Sequence, residues 1–403
     1  MVDLPLRGVR VLDFGQVIAV PFCTQWMAWM GADVVLVESR RHLTSRTFPP
    51  FLSPDNDIDT SGSFNLINQN KRSCVIDVTT AEGKTIIRDL VRISDVLVDN
   101  LGTGVLERFG FGPQAVWQLR PDLIVLSLGA FGRAGPLKDQ IGFHSAVNLF
   151  SGVADVTGYE AGHPRMIGGV FPDSFSGAHT LYALLTALHH RRRTGKGQYI
   201  DVAMYEPMLS LIPEAIIDYT LNGREPVRIG NHDPYKVPHN IYRCRGDDAW
   251  LAISVSDDRE FARLAVAAGH PDWADDPRFA TALARRTHER ELDALLDAWS
   301  RGFTPYEAME RLQRAGVKAG AVMQSHELST DPQLRYRGMP QETDHPKVGR
   351  RGNPGVPWVT DTQPPVTYRP PPLFGQHTRE VLTTLVGLDD AEFRRLEAAR
   401  VFN

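Results

Sequence analysis

The chain is poor in cysteine. Its three (Cys23, Cys74 and Cys244) stand far apart, without the paired spacing of a zinc site or a disulfide framework. That pattern predicts a reduced, cytoplasmic compartment and no metal. No apolar run is long enough to span a bilayer, and the opening Met-Val-Asp-Leu-Pro-Leu-Arg has no apolar stretch of the signal-peptide kind, so no membrane partner is expected. A basic excess is missing too. The 44 Lys and Arg stand against 48 Asp and Glu, a formal charge of −4, whereas binding phosphate chains needs a dominant basic surface. Nucleic acid is therefore not an expected partner. The turn Gly15-Gln16-Val17-Ile18-Ala19-Val20 lacks the G-x-G-x-x-G spacing that lets backbone approach a pyrophosphate, which argues against NAD.

What is present is enough for two domains: 403 residues, 42% of them apolar and 23% charged. Val9 to Phe14 reads as a buried strand, Pro21 to Met30 as a helix and Ala32 to Glu38 as a second strand, a βαβ unit that implies parallel pairing. Strands follow at Cys74 to Val78, Val96 to Val98 and Leu123 to Leu128. Helices alternate with them, one entered at Thr80 and one at Val105 to Phe109. This alternation predicts a doubly wound α/β domain, whose ligands collect where strands end. Gln16, Arg40, Asn100 and Gly129 all stand at such ends. After Asn222-Gly223-Arg224-Glu225-Pro226, which reads as a linker, strands and amphipathic helices resume as a smaller α+β unit. From Pro332 the chain is rich in Pro and Gly.

The stretch from Met166 to Met208 organises the rest. Ala178, Leu181, Leu185 and Leu188 recur at helical spacing, and Arg191 to Arg193 suit the last turn of a helix. Thr194-Gly195-Lys196-Gly197 breaks it, and Tyr199 to Met204 reads as a strand. Asp173 and Ser174, just after Pro172, stand where an N-cap belongs. Free N–H groups there would keep Asp173 ionised and available as a nucleophile. The residues alone leave open whether Asp173 attacks or merely caps.

This stretch resembles the signature of the class III CoA-transferases, the family of formyl-CoA transferase and the carnitine CoA-transferases. The matching residues are Asp173, then Phe175-Ser176-Gly177, then Arg193-Thr194-Gly195-Lys196-Gly197-Gln198 and Val202-Ala203-Met204. Leu6-Arg7-Gly8-Val9-Arg10-Val11-Leu12-Asp13-Phe14, Asn70-Lys71-Arg72-Ser73, Asp99-Asn100-Leu101-Gly102-Thr103-Gly104 and Gly375-Gln376-His377-Thr378-Arg379-Glu380-Val381-Leu382 extend the likeness over essentially the whole chain. The resemblance implies a doubly wound, Rossmann-like large domain over 1–224, a small domain over 225–330 and a C-terminal segment, 331–403, that returns to the large domain. It also implies an interlocked homodimer or a related heteromer.

The chemistry it implies is CoA transfer from an acyl-CoA to a carboxylic acid through an aspartyl-CoA thioester on Asp173, with coenzyme A as the carried group and no metal. Gln16, Ile18, Ala19, Arg40, Ile76, Thr79, Asn100, Leu101 and Arg108 would surround CoA, joined by Lys138 and His144. Arginine suits the phosphates of CoA, although Arg40 and Arg108 also read as ordinary surface arginines. Two alternatives share the fold. An α-methylacyl-CoA racemase needs a His directly after Gly with Asp next, whereas Gly142-Phe143-His144-Ser145 puts Phe there and turns His144 aside. A non-catalytic subunit of a heteromeric transferase is the other. For the substrate, Arg228 to Tyr242 lacks the glycine run of formyl-CoA transferases, which speaks against formyl-CoA and oxalate. Arg228, His232, Lys236 and His239 there face one acid, Asp233. If the loop closes over the site, that surplus favours dicarboxylic acids, such as succinyl-CoA with malate, with Arg228 and His239 as substrate contacts. Otherwise it is a solvated loop.

Overall fold

The computed structural model describes residues 4–362 and 365–403, so Pro364 of the proline-rich tail lies outside the described residues. Six strands form one wholly parallel sheet: β1 (Arg10–Phe14), β2 (Asp33–Glu38), β3 (Arg72–Val75), β4 (Val96–Asp99), β5 (Ile124–Gly129) and β6 (Tyr199–Ala203). Their order across the sheet is β3-β2-β1-β4-β5-β6. The order reverses beside β1, with Val11 opposite Val34 on one side and Val96 on the other. A crevice opens beyond the strand ends at such a point.

The four central strands, β2, β1, β4 and β5, are apolar on both faces and split their side chains between two cores. Val11, Val34, Val96, Val98, Ile124 and Leu126 join one core with helix Ala19–Trp29 and helix Phe171–Thr194. Leu12, Val35, Val37, Leu97 and Val125 join the other, beneath helix Ala81–Arg92. The C-terminal segment fills out this second core with Val381, Leu382, Phe393, Leu396 and Val401. It is held by main-chain bonds as well: His377 N–H donates to the Ser73 carbonyl, and Asp77 N–H to that of Val401.

The chain divides into two compact units. One comprises Met1–Ala154, Met166–Gly223 and Pro332–Asn403, and the other Asp155–Arg165 and Arg224–Asp331. The second unit is built on an antiparallel sheet of β7 (His239–Arg243), β8 (Trp250–Ser254) and β9 (Lys318–Ala321), with a core of its own that includes Leu251, Phe261, Leu292 and Leu312. The Pro- and Gly-rich tail contains a hairpin, β10 (Gln341–His345) with β11 (Gly349–Asn353). The predicted linker starts one residue late: helix Pro213–Asn222 takes in its first residue and is capped by Gly223, which has the left-handed conformation.

The tip of β1 is locked by a buried ion pair. Lys71 Nζ lies 3.1 Å from Asp13 Oδ2, and neither side chain is exposed. Lys71 also donates to the Pro21 carbonyl and Asn68 Oδ1, while Asp13 accepts from Thr24 Oγ1 and the Gly15 N–H. Burial pulls the Lys71 ammonium below its ordinary range, and Asp13 opposes that shift. A buried charge is tolerated only while its partner remains. Lys71→Met is therefore expected to destabilise the protein by about 3–5 kcal/mol in urea unfolding, because Asp13 is left unpaired. A loss under about 1 kcal/mol would show that the pair does not hold this turn.

Candidate active site

Asp173 is the third residue of helix Phe171–Thr194, whose N-cap is Val170. The expected capping position is thus corrected. The helix starts three residues earlier than a cap at Asp173 would put it, with Pro172 in its first turn, where a missing N–H costs nothing. Asp173 is free of capping duty, and its Oδ2 is buried without a hydrogen-bond partner. One turn on, on the same helix face, Gly177 packs against helix Ala19–Trp29. A Cβ at Gly177 would meet the Ala19 carbonyl at 2.6 Å, so a side chain here would push the two helices apart. This approach brings the start of helix Ala19–Trp29 to Asp173, whose anion is favoured by the Ala19 N–H and its own.

The turn into that helix is strained and clamped. Val17 has φ +61°, a left-handed conformation that a β-branched residue adopts only at a cost of about 1–3 kcal/mol. Asn100 brackets the preceding residue, its Oδ1 accepting from the Gln16 N–H at 2.6 Å and its Nδ2 donating to the Gln16 carbonyl at 2.8 Å. Ser45 Oγ accepts from the Val17 N–H at 2.8 Å and donates to Gln16 Oε1. The three side chains come from separate loops, so only the assembled sheet creates the clamp.

Two cavities meet at Asp173. One, of about 410 Å³, lies beyond the ends of β1, β4 and β5 and is lined by Gln16, Asn100, Leu101, Lys138 and Arg133 among others. The other, of about 460 Å³, is lined by Ile18, Ser45, Phe48, Phe143, His144 and Ser145 among others. His144 begins helix His144–Phe150, and its Nδ1 stands 3.9 Å from Asp173 Oδ2. The sequence expectation that His144 is turned aside is thus corrected. Being the first residue of its helix, it is aimed by the preceding extended residue Phe143 rather than by a helical register.

Burial raises the Asp173 carboxyl to about 6, while the nearby His144 and the two N–H groups pull it back toward the anion. The expectation of a carboxylate held firmly ionised is therefore too simple: desolvation outweighs the helix terminus.

The remaining candidates are placed as follows. Ala19 is fully buried at the helix start. Ile76 is buried in the sheet core, with its N–H on the Glu38 carbonyl. Thr79 is exposed and bonds Asp77 through both its N–H and its hydroxyl. Arg40 is exposed, its guanidinium 5.1 Å from the Phe374 ring centre, and Arg108 is exposed on its short helix, donating at 3.5 Å to the Thr103 carbonyl. Lys138 is exposed, 3.5 Å from Asp139. Arg133 was not signalled by any motif. Its Nη2 donates to Asp99 Oδ1 and the Leu128 carbonyl beside the first cavity.

Arg228 and His239 belong to the second unit. Arg228 is bonded to the Asp155 carboxylate at 3.0 Å, and His239 Nδ1 lies 2.6 Å from the Asn231 carbonyl. The loop's other cations are also matched. Lys236 pairs with Asp233, and His232 sits 3.6 Å from Glu289 and 3.4 Å from Asp293. The surplus charge read from the loop's sequence is thus offset by acids that the fold brings in from elsewhere in the chain.

The profile of CoA-transferase family III matches residues 6–378. The chain belongs to that family. It is 34% identical to a succinyl-CoA–D-citramalate CoA-transferase of Chloroflexus aurantiacus, with 98% of each chain covered. A succinate–glutarate CoA-transferase of Agrobacterium fabrum is 32% identical over 94% of this chain and 96% of its own, and a formyl-CoA:oxalate CoA-transferase of Bradyrhizobium diazoefficiens is 32% identical over 96% and 94%. Among solved structures, a CAIB/BAIF family protein from Brucella suis superposes with a TM-score of 0.87 at 29% identity, covering 95% of this chain and all of that one. The protein is thus a class III CoA-transferase, an enzyme that moves CoA between carboxylic acids.

Two outcomes test the site. Because the folded carboxyl of Asp173 is raised, the neutral form is the one the fold prefers. Its stabilising contribution is full below the ordinary value of 3.8 and is lost as pH rises through about 6. Asp173→Asn, which carries no charge to desolvate, is expected to be more stable than the parent by about 1–3 kcal/mol at pH 7.5, the gap closing near pH 4. Equal stability at both pH values would mean that Asp173 is solvated. Asn100→Ala releases the Gln16–Val17 turn, and is expected to cut kcat at least about tenfold and to move the acidic limb of the pH profile upward as the Ala19 N–H loses its aim. A rise in KM alone, with kcat and the pH limb unmoved, would make Asn100 a simple ligand contact.

Proposed function

We propose that this enzyme transfers CoA between dicarboxylic acids through an aspartyl-CoA thioester on Asp173. The observation that carries the reading is the mostly buried carboxylate of Asp173, one of its oxygens without a hydrogen-bond partner, in the lining of two adjoining cavities. An oxygen stripped of water and hydrogen bonds is a better nucleophile than a solvated one, and the enclosure protects an anhydride from hydrolysis.

The steps balance without metal or ATP. A carboxylate oxygen of Asp173 attacks the donor thioester carbon; the C–O bond forms, the C–S bond breaks, and CoA leaves as the thiolate. The thiolate sulfur attacks the Asp173 carbonyl carbon and expels the donor acid as its carboxylate. The acceptor carboxylate attacks this new thioester, and the thiolate released then takes the acceptor's acyl carbon, which restores the Asp173 carboxylate. The Ala19 N–H, which favours the Asp173 anion, would also stabilise charge that develops on the Asp173 oxygens when the thiolate attacks its carbonyl carbon. CoA would lie in the cavity with Gln16, Leu101 and Lys138. Asn100 would act on it through the turn that it clamps. Arg40 and Arg108 would serve the phosphates, Thr79 and the backbone at Ile76 the adenine. Two subunits would interlock as the family resemblance implies.

The dicarboxylate reading rests on two relatives, whose names join succinyl-CoA to citramalate and succinate to glutarate, and not on the loop of the second unit. Its Arg228 and His239 have partners of their own. A second reading is favoured by one observation: His144 and Asp173 are the imidazole and carboxylate that an α-proton exchange requires.

The test is CoA exchange from succinyl-CoA into glutarate or malate in deuterated water. The parent is expected to transfer CoA without placing deuterium at the α-carbon, and Asp173→Asn to lose at least about a thousandfold in kcat. Hydroxylamine added during turnover should convert Asp173, and no other acid, to its hydroxamate. Residual turnover near the parent's, or an unmodified Asp173 peptide, would defeat the aspartyl mechanism. Deuterium at the α-carbon without CoA exchange would favour the racemase reading.

A further inference from the structure

The cavity that holds the bare face of Asp173 has an uneven charge inventory. Among the described residues lining it, none is Lys or Arg, and the polar groups besides Asp173 are the hydroxyls of Ser45, Ser63 and Ser145 and the ring of His144. His144 is the one member able to carry a positive charge. The cations of the adjoining cavity have partners already, Arg133 on Asp99 and Lys138 on Asp139. In the resting enzyme His144 faces the Asp173 carboxylate, 3.9 Å from Oδ2, which is close enough to attract but too long for a hydrogen bond. Its side chain is 41% exposed against 10% for Asp173, so the imidazole borders open space that the carboxylate does not reach.

During the reaction the partner of His144 disappears. Once Asp173 is a thioester or an anhydride it has no charge, and the His144 imidazole loses the carboxylate it faced. Resting on the aspartyl mechanism proposed above, we infer that His144 is the specificity residue for the second carboxylate of the substrate: it exchanges the Asp173 anion for the distal carboxylate of the acyl group. Succinate and its near homologues have two or three methylenes between their carboxyl carbons. An acyl group joined to the Asp173 carboxylate therefore carries its far carboxylate into the neighbourhood of an imidazole that already borders that group. A monocarboxylate of the same length leaves His144 unpaired at this stage. The discrimination thus acts on the acylated states and on the transition states leading to them, which is where it raises kcat/KM.

The test compares succinyl-CoA with butyryl-CoA, equal in chain length and differing in the terminal carboxylate, as donors to the same acceptor. His144→Gln is expected to lower the kcat/KM ratio of succinyl-CoA over butyryl-CoA by about ten- to a hundredfold, the range of a charge-assisted bond. His144→Lys should restore part of it. The ratio is the readout because any effect of His144 on the ionisation of Asp173 falls on both donors alike and cancels. A ratio unchanged in His144→Gln, or one that falls equally in His144→Lys, overturns the inference while transfer itself continues. Loss of the aspartyl mechanism shows differently, as transfer from both donors that survives Asp173→Asn, and removes the inference with it.

Discussion

The buried pair of Lys71 with Asp13 is the constraint on which the site depends. It joins four pieces of chain at one point: the end of β1, the turn after it, the first turn of helix Ala19–Trp29, and the segment ahead of β3. Such pairs add little net stability over a well-packed apolar cluster, but breaking one is severe, so they fix geometry more than they strengthen a fold. Here the geometry fixed is that of Gly15 through Ala19. The strained Val17 and the clamp of Asn100 and Ser45 persist because the residues before and after them cannot move.

Asp173 shows the opposite use of burial. A nucleophilic carboxylate works best when poorly solvated, and the same desolvation makes its charge costly to the folded state. The enzyme balances these with weak, distributed support: two N–H groups and an imidazole at ion-pair distance, with no strong hydrogen bond to Oδ2. A tighter partner would hold the charge more firmly and blunt the nucleophile. The close helix crossing at Gly177 is what delivers one of those N–H groups, so packing and chemistry are set by residues one helical turn apart.

The second unit carries a lesson about local charge counts. Arg228, His232 and Lys236 look like an uncompensated cluster along the chain. In the folded unit they meet Asp155, Asp233, Glu289 and Asp293, three of which come from other segments. Attraction between charges is short-ranged in salt, so what matters is which acids the fold brings within a few ångströms.

The sequence by itself determined the alternating strands and helices of the parallel sheet, because buried strands demand continuous apolar runs and their connecting helices an apolar stripe. It also determined the family, through Asp173 and the glycines that follow the helix. Thr80 was legible as the start of a helix; in the fold it caps helix Ala81–Arg92, its hydroxyl accepting from the Gly83 N–H. Only the tertiary structure decided that Asp173 lies inside its helix rather than capping it, that His144 meets it, and that Asn100 spends its amide on the Gln16 backbone. It likewise turned the proline-rich tail into a hairpin and matched the cations of the second unit. These features share one physical reason. Each depends on groups distant in sequence and on the removal of water between them, and neither distance nor desolvation is written in local pattern.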